Sequence, residues 1–517
     1  MPESDGIDGT YPVVIAGGGP VGTMLACGLR QAGVDVLVLE RRTEPDLLPR
    51  AGSMGPLAFE ALERLGLHDA LLAAEQDTLA EYGKMFADWA AKKGIGQPAT
   101  RSAPKEHFAG LEKIDPARRT DPERRRVRVE QPVLEEILHR HAVSLGAVIL
   151  RGHEIVGVFQ DEERVIVDVR TVDGTVAQVT TQYLVGADGA DSSVRGFVGF
   201  DFPGTDATVT GRMAVVELAD EEKLSPGFHY TPVGLYVHGL GVNRLSTVEF
   251  DGPPTDDEDM TAEELQGSIR RVSGTDVTIS EMSSGTRWID TARQASAYRL
   301  GRVLLAGDAA HVYAPVGGQG LNVGLVDAAN LVWKLAAQVQ RWAPHYLLDT
   351  YGSERYPVAA RLLQNTRAQI ALMHPDPQTT ALREMFEELL DIDEVHRTIA
   401  DMMAGMDVRY AVEGEHPLLG TLVPDAKLTG GKAADLWADG RGVLVDFADR
   451  ADVRDAVGAW SARVNVVTLP GAREDVDALL VRPDGCVVWA LPTGAALADA
   501  PPTEALTTWF GRAPRVS

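Results

Sequence analysis

Cysteine is almost missing from this chain of 517 residues: Cys27 and Cys486 stand alone, far apart and in no CxxC or metal spacing. That excludes a disulfide scaffold and a cysteine-rich metal site. Long apolar runs are missing as well. No stretch of about 18 apolar residues occurs, so no helix is expected to span a membrane. The opening MPESDGIDGTYP is polar and reads as no signal peptide. Basic charge is in deficit: 49 Lys and Arg face 75 Asp and Glu, a net charge of −26. Nucleic acid is therefore a poor partner, because counterion release needs clustered Lys and Arg. The one basic run, Arg118-Arg119 and Arg124-Arg125-Arg126-Val127-Arg128, is interleaved with acids and reads as a solvated face. Repeats and low-complexity tracts are absent too. What is left is a cytoplasmic globular chain, long enough at roughly 100–200 residues per domain for two to four domains.

Along the chain, residues 11–40 read strand, glycine turn, helix, strand, which is a βαβ unit. Helical periodicity continues over 53–75, residues 92–126 look like loop, and 130–146 form a helix. Residues 147–185 alternate like strands, with Asp173-Gly174 as a hairpin signal. Residues 209–250 and 276–290 alternate with no helix expected between them, which predicts a mostly antiparallel sheet in a separate layer. GRVLLAG (301–307) returns to a buried strand. Helices are expected over about 320–340, 351–372 and 378–405, a turn-rich connector over 406–437, and four short strands in a small α/β domain from 441 onward.

Two glycine-rich loops carry chemistry. Gly17-x-Gly19-x-x-Gly22 follows a strand and opens a helix. The first glycine makes the turn, the second admits a pyrophosphate to the backbone, and the third lets helix and strand touch. Glu40 ends the next strand 18 residues after Gly22, near the spacing of an acid that holds ribose hydroxyls. The second loop, GDAAHVYAPVGGQGLNVG (307–324), puts Asp308 at the carboxyl end of a buried strand. Pro315, Gly317, Gly318 and Gly320 then make a loop without bulk, and a helix starts near Leu321-Asn322 with free N–H groups. A flat heterocycle fits against such a loop, its negative edge at the helix N-terminus. One loop takes an adenylate end and the other a ring end, which describes extended FAD. GADGADSSVR (186–195) is a further turn, with Asp188 at its tip.

In this order the three signals resemble the class A flavin monooxygenases of the para-hydroxybenzoate hydroxylase type. GGGPVG with Glu40-Arg41, GADGADSSVR and RVLLAGDAAHVYAPVGGQGLNVGLVDAANLVWKLA are similar to that family's three fingerprints, and DTYGSERYPVA (349–359) follows as it does there. More narrowly, HFAG (107–110), MMAGMDVRY (402–410), HPLLGTLVPD (416–425) and RPDGCVVWA (482–490) resemble the aromatic polyketide hydroxylases of bacterial antibiotic pathways. The resemblance covers most of the chain. One stretch departs from it: GSMGPLAFE (52–60) has Gly55 and Leu57 where the family has His and Arg.

The resemblance implies an α/β fold in three parts. A Rossmann-like FAD domain takes 1–82, 127–200 and 296–375. An antiparallel-sheet substrate domain takes 83–126 and 201–295. A helical connector (376–405) leads to a thioredoxin-like domain (406–517), which without CxxC is not expected to be redox-active. Gly17, Gly19, Gly22, Glu40 and Arg41 are then expected to hold the ADP half, with Arg50 and Gln131 also on FAD. Asp188 and Asp308 belong to the pyrophosphate and ribityl region; Pro315, Gly317, Gly318, Gly320, Leu321 and Asn322 to the isoalloxazine. The implied reaction uses NADPH or NADH as transient reductant, O2, and a C4a-hydroperoxyflavin that oxygenates a polycyclic aromatic polyketide. Baeyer–Villiger insertion on a polyketide ring and a non-catalytic flavin-binding protein are the alternatives. None of the eight tryptophans lies in the WxWxIP of flavin halogenases. The sequence assigns no catalytic base. Tyr236, His238 and Arg244 are candidates for the substrate pocket, Tyr236 and His238 sharing a strand face; His229 and Tyr230 lie nearby. His311 and Trp288 are expected to pack rather than react. Monomer and homodimer are both compatible with this reading, and no metal is expected.

Overall fold

The runs VVI, VLVL, YLVG and VLL are apolar on every residue, the pattern of strands covered on both faces. In the computed structural model, which describes residues 9–513 except 49, 94–104, 240–242, 257, 425–427, 429–433 and 438, they lie side by side in one sheet. The N-terminal MPESDGID, the 94–104 part of the expected loop and parts of the 406–437 connector lie outside the described residues.

The chain starts with β1 (Thr10–Ala16), α1 (Pro20–Gln31) and β2 (Val36–Glu40). It continues through α2 (Pro56–Glu63) and α3 (His68–Lys93), then a hairpin of β3 (Glu106–Phe108) and β4 (Leu111–Ile114), then α4 (Gln131–Ser144). Strands β5 (Val148–Arg151), β6 (Glu154–Gln160), β7 (Val165–Arg170) and β8 (Val176–Gly186) precede the short α5 (Ser193–Val198) and β9 (Gly204–Thr205). Next come β10 (Thr210–Leu218), β11 (Gly227–Thr231), β12 (Gly234–His238), β13 (Arg244–Glu249), α6 (Ala262–Ser273) and β14 (Ile279–Ile289). Then follow β15 (Ala292–Gln294), β16 (Arg299–Leu300), β17 (Val303–Leu305), β18 (His311–Val312), α7 (Gly320–Val339), α8 (Thr350–Met373), α9 (Pro377–Leu389) and α10 (Asp393–Ala404).

The main sheet runs β16-β17-β8-β1-β2-β5, and its five strands from β17 to β5 are parallel. The long β8 leaves this layer at its start to pair antiparallel with β7, which pairs β6. The registers Ala16↔Gly186 and Leu305↔Gly186 bring the carboxyl ends of β1, β8 and β17 level. A second sheet, β11-β12-β13-β10-β14, is wholly antiparallel. Near the C-terminus, β19 (Gly442–Asp446), β20 (Val464–Thr468), β21 (Val476–Val481) and β22 (Val487–Pro492) form a third sheet, β20-β19-β21-β22, with β19 and β20 parallel.

Five sequence expectations change. The helix read over 53–75 is two: Gly66, at φ 79°, ends the first and lets the chain turn into α3. That second helix runs on to Lys93, across the expected domain boundary at 82/83. The expected loop 92–126 contains the β3–β4 hairpin, whose short strands pair over Ala109-Gly110, both at positive φ. A helix, α6, does lie between the alternating stretches of the second sheet, capped by Thr261 and closed by Gly274 at φ 67°. The helix read over 378–405 is likewise two, α9 and α10, broken at 390–392.

Candidate functional site

Because β1, β8 and β17 are parallel neighbours, the loops that leave them open at one edge of the sheet. Such carboxyl edges are where open α/β sheets bind ligands. The first loop has no room for side chains where the backbone crosses itself. A Cβ on Gly17, at φ 101°, would stand 2.3 Å from the Ala187 carbonyl oxygen, and one on Gly22 2.0 Å from the Gly17 oxygen. A Cβ on Gly19 would meet nothing within 4 Å. Gly19 caps α1 and Pro20 starts it, so the N–H groups of the next residues face outward, with the positive end of the helix dipole. The Glu40 carboxylate accepts from Gly18 N at 2.7 Å and Arg42 N at 2.9 Å, which ties the loop to the end of β2.

The second loop is internally braced. Asp188 accepts from Ser192 Oγ at 2.6 Å and Val194 N at 3.1 Å, while Ser192 caps α5. Burial raises the Asp188 carboxyl above its ordinary range, against the pull of these hydrogen bonds. Arg195 reaches over to donate to the Ala309 carbonyl at 3.1 Å, joining this loop to the third.

The third loop turns at Gly307, φ 60°, and leaves Asp308 exposed into the cavity between the loops. Gly307 N and His311 Nε2 both meet the fully buried Asp327, at 3.2 and 2.7 Å. Arg355 donates to the other Asp327 oxygen at 2.6 Å. His311, expected to pack rather than react, is fully buried here. Gly317 and Gly318 follow at φ 78° and 62°, and α7 begins at Gly320.

A cavity of about 600 Å³ runs between the loops. Gly17, Gly19, Glu40, Arg41, Arg50, Gln131, Asp188, Asp308, Pro315, Gly318, Gly320 and Leu321 all border it. Three expected residues stand behind it. Gly22 is the contact of α1 with the turn; Gly317 backs onto Met403, 2.6 Å from where its Cβ would be. Asn322 accepts from Gly55 N at 2.6 Å and donates to Gly318 O at 2.9 Å. Arg50 is paired with Asp46 at 2.9 Å, and Gln131 donates to Glu135 at 2.8 Å. The cavity is in the size range of cofactor sites. Its open space at Gly19, the N-termini of α1 and α7 on its border and the free Asp308 carboxylate suit a long dinucleotide with a phosphate middle, as FAD has.

The three pocket candidates do not stay together. In β11 to β13 the register Tyr230↔Leu235↔Val248 puts Phe228, Tyr230, Leu235, Val237 and Val248 on the face toward Ala314 and Val316. Tyr236 lies on the opposite face, among Leu245, Leu265 and Ile269 under α6, with its ring stacked on His229. His238 shares that side, 3.8 Å from the Glu221 carboxylate. Arg244 alternates to the Val248 side and pairs with Glu130 at 3.1 Å, which also accepts from Tyr82 at 3.0 Å. Trp288 packs partly buried against the same apolar layer. In the departing stretch, Gly55 and Leu57 line a separate cavity of about 190 Å³ with Asn322, Arg126 and Met403.

The sequence reading passes over a buried polar cluster: Asp327, Asn330 and Lys334 on α7, Glu354 and Arg355 on α8, Arg482 and Asp484 at the β21–β22 turn. Its signal is in the sequence: three polar residues at i, i+3 and i+7 in an otherwise apolar helix, LNVGLVDAANLVWKLAA. Both thiols are buried, with Cys27 pushed up to about 12 by desolvation. Among the described residues no helix is long and apolar enough to cross a membrane, and no cluster of His, Cys, Asp and Glu is placed to hold a metal ion.

A parallel sheet with three glycine-bearing loops at one edge, an antiparallel sheet packed toward Ala314 and Val316, and a small α/β domain near the C-terminus define a flavoprotein of the aromatic-ring hydroxylase type. The chain belongs to that family: residues 10–366 match the FAD binding domain and 416–513 the aromatic-ring hydroxylase C-terminal domain, which makes it a flavin-dependent aromatic monooxygenase. It is 38% identical to the 12-dehydrotetracycline 5-monooxygenase/anhydrotetracycline 6-monooxygenase of Streptomyces rimosus, over 97% of this chain and 99% of that one. A solved anhydrotetracycline hydroxylase from Streptomyces rimosus superposes with a TM-score of 0.84 at 36% identity, over 98% of this chain and 100% of that one. The dialkyldecalin synthase of Streptomyces rugosporus is 36% identical, over 97% of this chain and 99% of that one.

Proposed function

We propose that the chain hydroxylates a polycyclic aromatic polyketide, with FAD in the cavity of about 600 Å³, NADPH or NADH as transient reductant and O2 as co-substrate. The observation that carries this reading is the cavity itself, which both the Gly17–Val21 loop and the Pro315–Leu321 loop border. When bound, FAD supplies hydride acceptance and the transfer of one oxygen atom from O2. The protein binds, orients and shields. The N-termini of α1 and α7, both on the cavity's border, stabilise negative charge on the bound group. Glu40 and Asp308 would accept from ribose and ribityl hydroxyls of the bound group. The apolar face of Phe228, Leu235, Val237 and Val248, opposite Ala314 and Val316, suits a flat aromatic partner and excludes water from the ring end. Arg244, on that same face, is the candidate among the three that remains near such a partner.

The test is NAD(P)H oxidation by purified protein with and without polycyclic phenols, under labelled O2. Substrate-stimulated oxidation with one labelled oxygen in the product supports the reading. FAD binding without stimulated turnover turns it toward a non-catalytic flavin-binding interaction protein. Baeyer–Villiger insertion adds the same single oxygen, so product NMR separates a new hydroxyl from a new ring ester.

A further inference from the structure

The C-terminal sheet borders no part of the large cavity, yet two sets of buried polar contacts, joined through the adjacent α8 residues Glu354 and Arg355, run from it to the Asp308 loop. Arg482, at the end of β21, is fully buried. It donates to both Glu354 oxygens, at 2.6 and 2.8 Å, and to Asp484 at 3.0 Å. Lys334 adds a donor to Glu354 at 2.7 Å, and Asn330 links Glu354 to Asp484 at 2.6 and 3.0 Å. Trp333, Tyr410 and Trp509 surround the guanidinium. The next residue of α8, Arg355, points the other way. It takes Asp327 at 2.6 Å and the Tyr410 hydroxyl at 3.1 Å. Asp327 in turn holds Gly307 and His311, the two sides of Asp308.

The four charges Arg482, Lys334, Glu354 and Asp484 balance, and stability alone does not call for them. Well-packed apolar residues would hold two domains together as well or better. What a bidentate guanidinium adds is orientation: it fixes one carboxylate in one plane, and with it one rotation of α8.

We propose that the C-terminal domain positions the Asp308 loop through this series: Arg482 sets Glu354 and α8, Arg355 sets Asp327, and Asp327 holds Gly307 and His311. The inference rests on the FAD reading of the cavity. Arg482, Arg355 and Asp327 are positioning residues, since none of them borders the cavity.

The test is a double-mutant cycle read on FAD affinity, by titrating deflavinated full-length protein, and on the visible circular dichroism of the bound flavin. Asp327→Asn is expected to weaken FAD about tenfold and Arg482→Met about fivefold, sizes set by losing one or two charge-assisted hydrogen bonds of the brace. If the two act in series, the double variant stays near tenfold; independent sites would multiply to about fiftyfold. Tyr410→Phe removes one hydroxyl and nothing else, so it covers the case in which Arg482→Met folds poorly; about threefold weaker binding is expected. Altered flavin dichroism in all three variants supports positioning. The proposal is overturned if Arg482→Met and Tyr410→Phe melt lower but bind FAD within about twofold of wild type with an unchanged flavin signal, or if the cycle multiplies. A wild-type chain that takes up no FAD overturns the functional reading and this one together.

Discussion

Gly19→Ala separates a glycine that shapes the protein from one that leaves room for a ligand. Gly19 has φ −73° and ψ −174°, which alanine adopts freely, and its Cβ would meet no atom within 4 Å. The deflavinated variant should therefore melt where the wild type does or slightly higher. Alanine restricts the unfolded chain by about 0.4–1 kcal/mol, or no more than ~1 °C in a protein of this size. Binding should tell a different story. A pyrophosphate on the N-terminus of α1 has to approach the backbone here, and a methyl displaces it from two charge-assisted hydrogen bonds. At about 1.5–3 kcal/mol each, the loss is roughly 3–6 kcal/mol, or 10²–10⁴-fold in FAD affinity. Gly22→Ala is the control, because its Cβ would lie 2.0 Å from the Gly17 oxygen. It should cost the fold about 3 kcal/mol with or without FAD. The assay is FAD titration plus thermal melting of all three deflavinated proteins. A Gly19→Ala chain that binds FAD within about tenfold of wild type refutes the reasoning: the space beside Gly19 would then not be the phosphate site.

Three other outcomes are expected. Glu40→Gln keeps the shape but weakens the acceptor for Gly18 N and for a ribose, so FAD titration should show about tenfold weaker binding. His107, beside Phe228 on β3, is held down to about 4 by desolvation, with Arg126 adding to it and Glu106 opposing. The unfolded chain takes up this proton below about 6.5 and the folded one resists until about 4, so stability is lost as pH falls through that window. Urea midpoints at pH 7 and 5 should differ by about 2 kcal/mol less in His107→Gln than in wild type. Leu235→Trp, on the sheet face toward Ala314, should raise KM for an aromatic substrate several-fold and leave FAD affinity alone, whereas Tyr236→Phe, under α6, should leave KM unchanged.

The fold was legible wherever one residue's environment decides its type. VVI and VLVL are apolar at every position because both faces of the central sheet are covered, and Gly17 and Gly22 are glycines because backbone lies where a Cβ would go. Boundaries were less legible. Gly66 ends α2 by a positive φ, which a glycine permits but does not announce, so two helices read as one. The helix α6 was missed because its apolar residues Leu265, Ile269 and Val272 are few among many charges. For the substrate face, alternation told that Tyr236 and His238 share a side of β12, and it told nothing about which side. That depends on α6 covering one face and the Ala314 loop the other, a long-range arrangement no local period encodes.

The site was legible in its parts and not in its wiring. Residues 17, 188 and 308 are far apart in sequence, and only the order β17-β8-β1 makes their loops neighbours. The ties among those loops use side chains that read as ordinary: Arg195 reaching Ala309, Asp327 reaching His311. A polar residue in an apolar helix is costly to bury unless it is paired, so Asp327, Asn330 and Lys334 on one side of α7 already require partners of both signs. The sequence offers many such partners and does not name them. The fold selects Arg355 and Glu354 from α8, and Arg482 and Asp484 from a strand pair some 150 residues beyond α7. This choice joins α7 and α8, and through Asp327 the Asp308 loop, to a C-terminal domain that contributes no wall to the cavity.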